Sequence, residues 1–235
     1  MPRPNQRVEL HCHSYFSLLD GLPSPEQIVN DAVKKNMKAV AITDHGNVSA
    51  MIKLFKHAKK NNIKPIYGIE LYETDDTSVK NKDSKYYHLL VLAKNNNGMR
   101  QLNKIIKKST MEDNFYYKPR IQIDWLTPFA DDIIISTACL AGRINKLDNL
   151  DEKTSFVNSM KSKFKHFYIE LQSHTSEEQI KANKELLEIA QITNTPIVIT
   201  CDAHYLNKED EGIHSSFKAT VTKSKQSPDE IGEIY

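Results

Sequence analysis

Short apolar runs and helical patterns alternate almost from end to end of the chain. The runs at 8–11, 39–43, 64–70, 86–93, 133–137, 167–171 and 197–200 are bounded by polar or turn-forming residues and predict seven strands. Between them, amphipathic patterns at 25–36, 48–61, 97–110, 151–164 and 176–193 predict helices. Ser24 followed by Pro25 marks the start of the first helix, and Ser176 with Glu178 and Gln179 that of the fifth. Such alternation implies parallel strands with helical crossovers, hence an α/β barrel or a doubly wound sheet. Two stretches depart from it: 74–84 is polar and predicts an exposed loop, and 111–128 is irregular and aromatic. A helix is expected from about 207, so that residues 1–223 form one domain and 224–235 a tail or linker.

Composition narrows the partners. Lys and Arg number 32 against 30 Asp and Glu, for a net charge of +2, so no global field would hold a polyanion and any nucleic-acid contact is local. No stretch approaches the roughly 20 apolar residues of a membrane span, and the first residues lack the apolar core of a signal peptide, so the expectation is a cytoplasmic protein. Three widely spaced cysteines, Cys12, Cys139 and Cys201, do not suggest a disulfide framework and leave metal binding or burial to explain them.

Candidate chemistry gathers at strand ends. His11 and His13, two apart, leave the same face of a strand while Cys12 points the other way, so two imidazoles can share one metal. The strand AVAIT runs into Asp44 and His45, and IVIT runs into Cys201, Asp202, Ala203 and His204, where Asp202 and His204 repeat the two-residue spacing. Glu70 closes KPIYGIE, His88 lies in YYHLLVLA, Cys139 follows IIIST, and Asp20 sits in the loop after the first strand. In parallel α/β barrels the carboxyl ends of the strands form the active-site face. Five His, three carboxylates and one Cys offer donors for two or three divalent ions, with Glu70 able to bridge, and the mixed N, O and S set suits Zn, Mn or Fe. Closely spaced ions neutralise charge developing on a phosphoryl group and make hydroxide available at neutral pH, so phosphate ester hydrolysis is the natural reaction class.

The segments VELHCHSYFSLLDG, AVAITDHGN, KPIYGIELY, YYHLLVLAKN, ISTACLAG, FYIELQSH and ITCDAHYL follow one another in the order and spacing of the PHP (polymerase and histidinol phosphatase) domain. Over about residues 7–220 the chain resembles its polymerase branch, the amino-terminal PHP domain of the bacterial DNA polymerase III alpha subunit. The resemblance implies a distorted (β/α)7 barrel with a trinuclear site. It places His11, His13, Glu70 and Asp202 on one metal, Glu70, His88 and Cys139 on a second, and Asp20, His45 and His204 on a third. Complete ligand sets in this branch go with metal-dependent 3′→5′ exonuclease action. Polymerase activity is not expected, because the palm and fingers have no room here. The chain is either an excised domain or a free-standing relative.

Other residues carry lighter expectations. Arg120, Arg143 and His174 are candidates to meet substrate phosphates, and Asp44 to orient a ligand imidazole. Phe115, Tyr116 and Tyr117, beside Lys118 and Arg120, could stack bases of a single strand. Cys12 and Cys201 read as buried core thiols. His57, His166 and His214 read as ordinary. The leading expectation is a phosphodiesterase acting on DNA 3′ ends or single strands, with replication proteins as further partners. A phosphomonoesterase on a small phosphate and a non-catalytic, metal-stabilised replication module are the alternatives.

Overall fold

The computed structural model describes residues 7–82 and 84–222; the expected tail at 224–235 lies outside them. Eight strands are described: β1 (Ala39–Ile42), β2 (Lys64–Glu73), β3 (Tyr87–Ala93), β4 (Phe115–Tyr116), β5 (Lys118–Ile121), β6 (Ile133–Ser136), β7 (Phe167–Gln172) and β8 (Ile197–Thr200). The six α-helices are α1 (Pro25–Lys34), α2 (Met51–Lys60), α3 (Asn96–Ser109), α4 (Leu150–Lys163), α5 (Glu177–Thr193) and α6 (Glu211–Thr222). The cap signals hold: Ser24 and Gln27 form a capping box with Pro25 inside it, and Ser176 accepts from Gln179 N.

Pairing runs β1-β2-β3-β6-β7-β8, with β5 added beside the far end of β2 and β4 beside β5. The segment around residues 9–13 closes the ring. Glu9 bridges Val40 of β1 on one side, and Cys12 bridges Ala203, just past β8, on the other. Seven staves therefore enclose a barrel. The first is two bridges where the apolar run predicts a strand, because the Glu9 carboxylate turns onto the backbone and accepts from the N–H groups of Leu10, His11 and Cys201.

One stave runs the other way. β3 is antiparallel to both β2 and β6, whereas β1-β2, β6-β7 and β7-β8 are parallel. The polar loop at 74–84 supplies no crossover helix, so the chain can only return antiparallel. The start of β3 thus lies at the same barrel end as the finish of its neighbours.

The apolar cores lie outside the barrel, under the helices. Ile69 and Leu71 of β2, Leu89 and Val91 of β3, Ile133 and Ile135 of β6, and Ile169 of β7 pack with Leu102, Val157, Met160 and Leu186 of α3 to α5. A second cluster joins Cys12, Val40 and Ile42 to Ile28 and Val29 of α1 and Leu54 of α2. The alternate residues face inward: polar at one end, where Glu70 and Glu170 are buried, and apolar at the other. There Leu10, Ile66, Leu90, Leu92, Ile134, Tyr168 and Val198 line a cavity of about 650 Å³. No helix among the described residues is long and apolar enough to cross a membrane.

Arg120 departs from expectation. It is fully buried in β5 and its guanidinium donates to Thr77 O (2.8 Å), Val79 O (2.9 Å) and Ser84 Oγ, fastening the loop at 74–84 over the sheet. With those donors taken by the loop, it is a structural residue and not a phosphate contact. Arg120→Met should leave two loop carbonyls without these donors and cost about 2–4 kcal/mol in chemical denaturation; a loss below about 0.5 kcal/mol would contradict this role.

Candidate metal centre

Most of the proposed donors reach the polar barrel end from a strand terminus or the turn beyond it, Glu70 from within β2 and Asp20 from the loop after the first stave. His11 and His13 end the first stave, His45 follows β1, Glu70 lies in β2, His88 near the start of β3, Cys139 beyond β6, and Asp202 and His204 beyond β8. The backbone turns sharply to deliver them. Leu19 (φ 64°), Gly46 (φ 63°), Ala138 (φ 58°) and Asp202 (φ 49°) all adopt the left-handed region, each at or next to a candidate ligand. Three of the four are not glycine, so local strain is held by the surrounding structure.

Glu70 is the hub. Its Oε1 lies 2.9 Å from His88 Nδ1, 3.4 Å from His11 Nε2 and 3.7 Å from Cys139 Sγ, while Oε2 lies 2.8 Å from His45 Nδ1 and 3.3 Å from His13 Nε2. Asp202 Oδ1 stands 3.1 Å from both His11 Nε2 and His13 Nε2. Asp20 Oδ2 stands 3.0 Å from His45 Nε2 and 3.2 Å from His204 Nε2. The His13 ring is stacked between those of His45 and His204, with both centroid separations 4.3 Å.

Three imidazoles have their outer nitrogen fixed. His11 Nδ1 donates to Glu170 Oε1 (2.7 Å), His13 Nδ1 to Ser17 Oγ (2.8 Å) and His204 Nδ1 to Asp202 O (2.9 Å). Each Nε2 is thereby the nitrogen turned inward, and becomes a lone-pair donor once its proton is displaced, the arrangement that sets a ligand tautomer. Glu170 is itself held by Thr200 Oγ1 (2.6 Å) and Ser136 Oγ. Asp44 reaches no imidazole. It accepts from Ser14 N, Ser14 Oγ and Ser17 Oγ, and so acts on His13 through Ser17.

Charge and burial show what the cluster would attract. Burial alone would raise Glu70, yet His88, His45 and His11 hold its carboxyl well below the usual range, and His11 and His204 do the same for buried Asp202. Hydrogen bonds from His204, His214 and His45 likewise outweigh the burial of Asp20. Burial lowers His45, but Glu70 and Asp20 lift it to about 9. Burial, then the nearby Glu70 and Asp202, push the Cys139 thiol well up. The carboxylates thus recruit protons onto imidazoles, which is the demand a cation would meet.

The donors fit a metal. His11 Nε2, His13 Nε2, His45 Nδ1, Glu70 Oε2, Asp20 Oδ1 and Asp202 Oδ1 are all buried and close to one another, yet none makes a hydrogen bond of good geometry. Both imidazole Nε2 atoms of His11 and His13 lie 3.1 Å from Asp202 Oδ1 and 3.3–3.4 Å from one or other Glu70 oxygen, close to the donor–donor edge of about 3.3 Å in a tetrahedral site with metal bonds of about 2.0–2.1 Å. His11, His13, Glu70 and Asp202 form one possible ligand group, His45, Glu70 and His88 a second, and His13, His45 and His204 a third. Above them Asp20, His45, His88, Cys139, Lys146, Glu178, Asp202 and His204 line a cavity of about 230 Å³.

Several residues fall elsewhere than expected. Arg143 is bound to Glu73 and to Asp75 (2.8 Å), so its charge is neutralised away from the donors. His174 is half-buried near the centre and bonded to the Cys201 backbone, its imidazole lowered by burial and by His204 and His11. Cys12 is buried as expected, but Cys201 is only partly buried and touches Arg7 and Ser173. His57 lies on α2 beside Glu26 and His166 contacts Lys94, both away from the donors. His214 is not ordinary. Its Nε2 lies 3.5 Å from Asp20 Oδ1, and Lys218 Nζ, one helical turn on, lies 3.6 Å from the same oxygen. Sequence reasoning also missed Glu170, whose only signal was an acidic residue inside the apolar run FYIELQ.

Two measurements follow. Glu170→Gln should lower metal affinity about 10- to 100-fold in chelator competition while the fold survives; unchanged affinity would remove Glu170 from the centre. His11 and His45 are raised in the metal-free protein, so metal must displace their protons and affinity should rise with pH. Calorimetric titration at pH 7.5 should then give heats that differ between buffers of different ionisation enthalpy, and identical heats would contradict it.

A model of the PHP domain family matches residues 9–174. The DNA polymerase III subunit alpha of Borreliella burgdorferi is 36% identical over 241 residues, covering 97% of this chain and 21% of that protein. That of Aquifex aeolicus is 38% identical over 234 residues, covering 92% and 20%. The chain spans about a fifth of the length of these relatives. Among solved structures, a protein from Bifidobacterium adolescentis, provisionally described as a metal-dependent phosphoesterase, aligns with TM-score 0.59 at 15% identity over 87% of this chain and 90% of that one. A two-domain protein from Bacteroides vulgatus, containing a predicted PHP-like metal-dependent phosphoesterase, aligns with TM-score 0.52 at 15% identity over 96% of this chain and 62% of that one. The chain belongs to the PHP domain family and has the fold of a PHP-like metal-dependent phosphoesterase.

Proposed function

We propose that this chain is a metal-dependent phosphodiesterase that removes nucleotides from DNA 3′ ends. The observation that carries the reading is the nine-donor cluster around buried Glu70, open to a cavity of about 230 Å³. Similarity to polymerase III alpha subunits supports a nucleic-acid substrate. His11, His13, Glu70 and Asp202 would hold one ion, Glu70, His88 and Cys139 a second, and Asp20, His45 and His204 a third. When bound, Zn, Mn or Fe ions would supply positive charge for the phosphoryl oxygens and lower the pKa of a water toward 7.

The chain's own residues do the rest. Glu70 and Asp202, ionised under the surrounding imidazoles, set the charge of the floor on which the phosphate rests. Glu170 and Ser17 keep the His11 and His13 rings from turning. Lys146 and Glu178 both line the cavity, and would offer an ammonium to a non-bridging oxygen and a carboxyl to exchange a proton with the departing one. The same small cavity also favours a second reading, a phosphomonoesterase acting on a nucleotide or sugar phosphate.

The purified chain with Mn and a 5′-labelled single-stranded oligonucleotide should give a ladder of shortened products. No ladder across several metals, with the sites loaded, contradicts the nuclease reading, and phosphate release from mononucleotides in its place favours the second. Metal analysis should show Glu70→Ala losing the equivalent of two ions per chain and Asp20→Ala chiefly one. Equal loss in both variants contradicts the bridging role of Glu70.

A further inference from the structure

The aromatic stretch at 111–128 is the part of the sequence that the metal centre leaves unused. The structure folds part of it into the β4–β5 hairpin, pairing Tyr116 with Lys118 across Tyr117 at the tip. Tyr117 sits at φ 57° and is 81% exposed. Glycine adopts that backbone freely and a residue with a bulky side chain does not. The Tyr117 ring meets only the neighbouring Tyr116 ring, edge-on at 4.6 Å, among the described ring contacts, and strained backbone that carries an exposed ring is a feature of functional positions.

The hairpin is seated against the metal centre. A Cβ on Gly46, the residue after His45, would come within 2.6 Å of Pro119 Cγ, so hairpin and ligand turn are in direct contact. Lys118 Nζ lies 5.1 Å from the centroid of the Tyr72 ring, and Tyr72 stacks on His45 at 5.7 Å. Tyr86, 41% exposed, meets Tyr72 edge-on at 5.3 Å. One buried ring thus joins a ligand imidazole to an exposed ring and to a lysine.

Rings alternating with cations are how proteins hold unpaired strands, since every base offers a π face. We propose that Tyr86, Lys118 and Tyr117 form the track along which a single nucleic-acid strand approaches the metal centre, the rings stacking bases and the ammonium meeting a phosphate. The inference rests on the nuclease reading and adds the route of its substrate. A protein surface could also cover Tyr117, but a lysine set beside the rings and direct contact with the metal-centre turn favour the strand.

The test is fluorescence anisotropy of a labelled 12-mer oligothymidylate with the full chain, its metals removed. Tyr117→Gly should melt at or above the wild-type temperature yet bind about five- to hundredfold more weakly. Lys118→Ala should weaken binding and reduce the salt dependence by about 0.7 of a log unit per log unit of salt, the contribution of one phosphate contact on a single strand. Phe55→Ala, an exposed ring on α2 outside the track, should bind as wild type. Wild-type affinity in both Tyr117→Gly and Lys118→Ala overturns the track even if the protein digests DNA. Binding that depends on both residues, with no digestion by the metal-loaded protein, leaves the track standing and overturns the nuclease reading. A change confined to self-association would make this face a protein interface and also overturn the track.

Discussion

A carboxylate buried at the centre of a barrel is the constraint on which the rest of this structure depends. Glu70 is 1% exposed, and an isolated ion there would take up a proton rather than stay charged. It stays charged because His11, His13, His45 and His88 converge on its two oxygens, with Cys139 alongside. Those groups are dispersed from residue 11 to residue 139 and meet only if the staves close. The site and the ring closure are thus one requirement.

The barrel divides its interior accordingly. Inward positions at the site end are His, Glu, Asp, Ser and Thr in mutual contact, whereas those at the far end are apolar and line an open cavity. Stability comes from outside, where the strands' other faces pack under α1 to α5. That separation lets the interior carry a polar network, and lets backbone strain collect beside the donors, without weakening the apolar cores. The connection between the halves is Glu170, which ties β7 to His11 and, through Ser136 and Thr200, to the level just above the cavity.

Much of this was legible in the chain because strand side chains alternate. His11 with His13, and Asp202 with His204, announce a shared face by their two-residue spacing, and the seven apolar runs correspond to the seven staves. What stayed hidden depends on the third dimension. The antiparallel course of β3 follows from a loop with no helix, which an apolar run cannot report. Arg120 and Arg143 look like phosphate-binding cations in sequence, yet the partners that occupy them, the loop carbonyls and Glu73, are 41 to 70 residues away. Glu170 and His214 lie on elements whose pattern gave no sign that one face would meet the donors.

The central claim is that Glu70 is shared between metal ions, and anomalous scattering tests it most directly. A crystal of the loaded protein, measured on either side of the absorption edge of its metal, should show one peak among His11, His13, Glu70 and Asp202 and another among Glu70, His88 and Cys139. A well-ordered map of metal-soaked crystals with no peak touching Glu70, or with all peaks on surface carboxylates, would contradict the account.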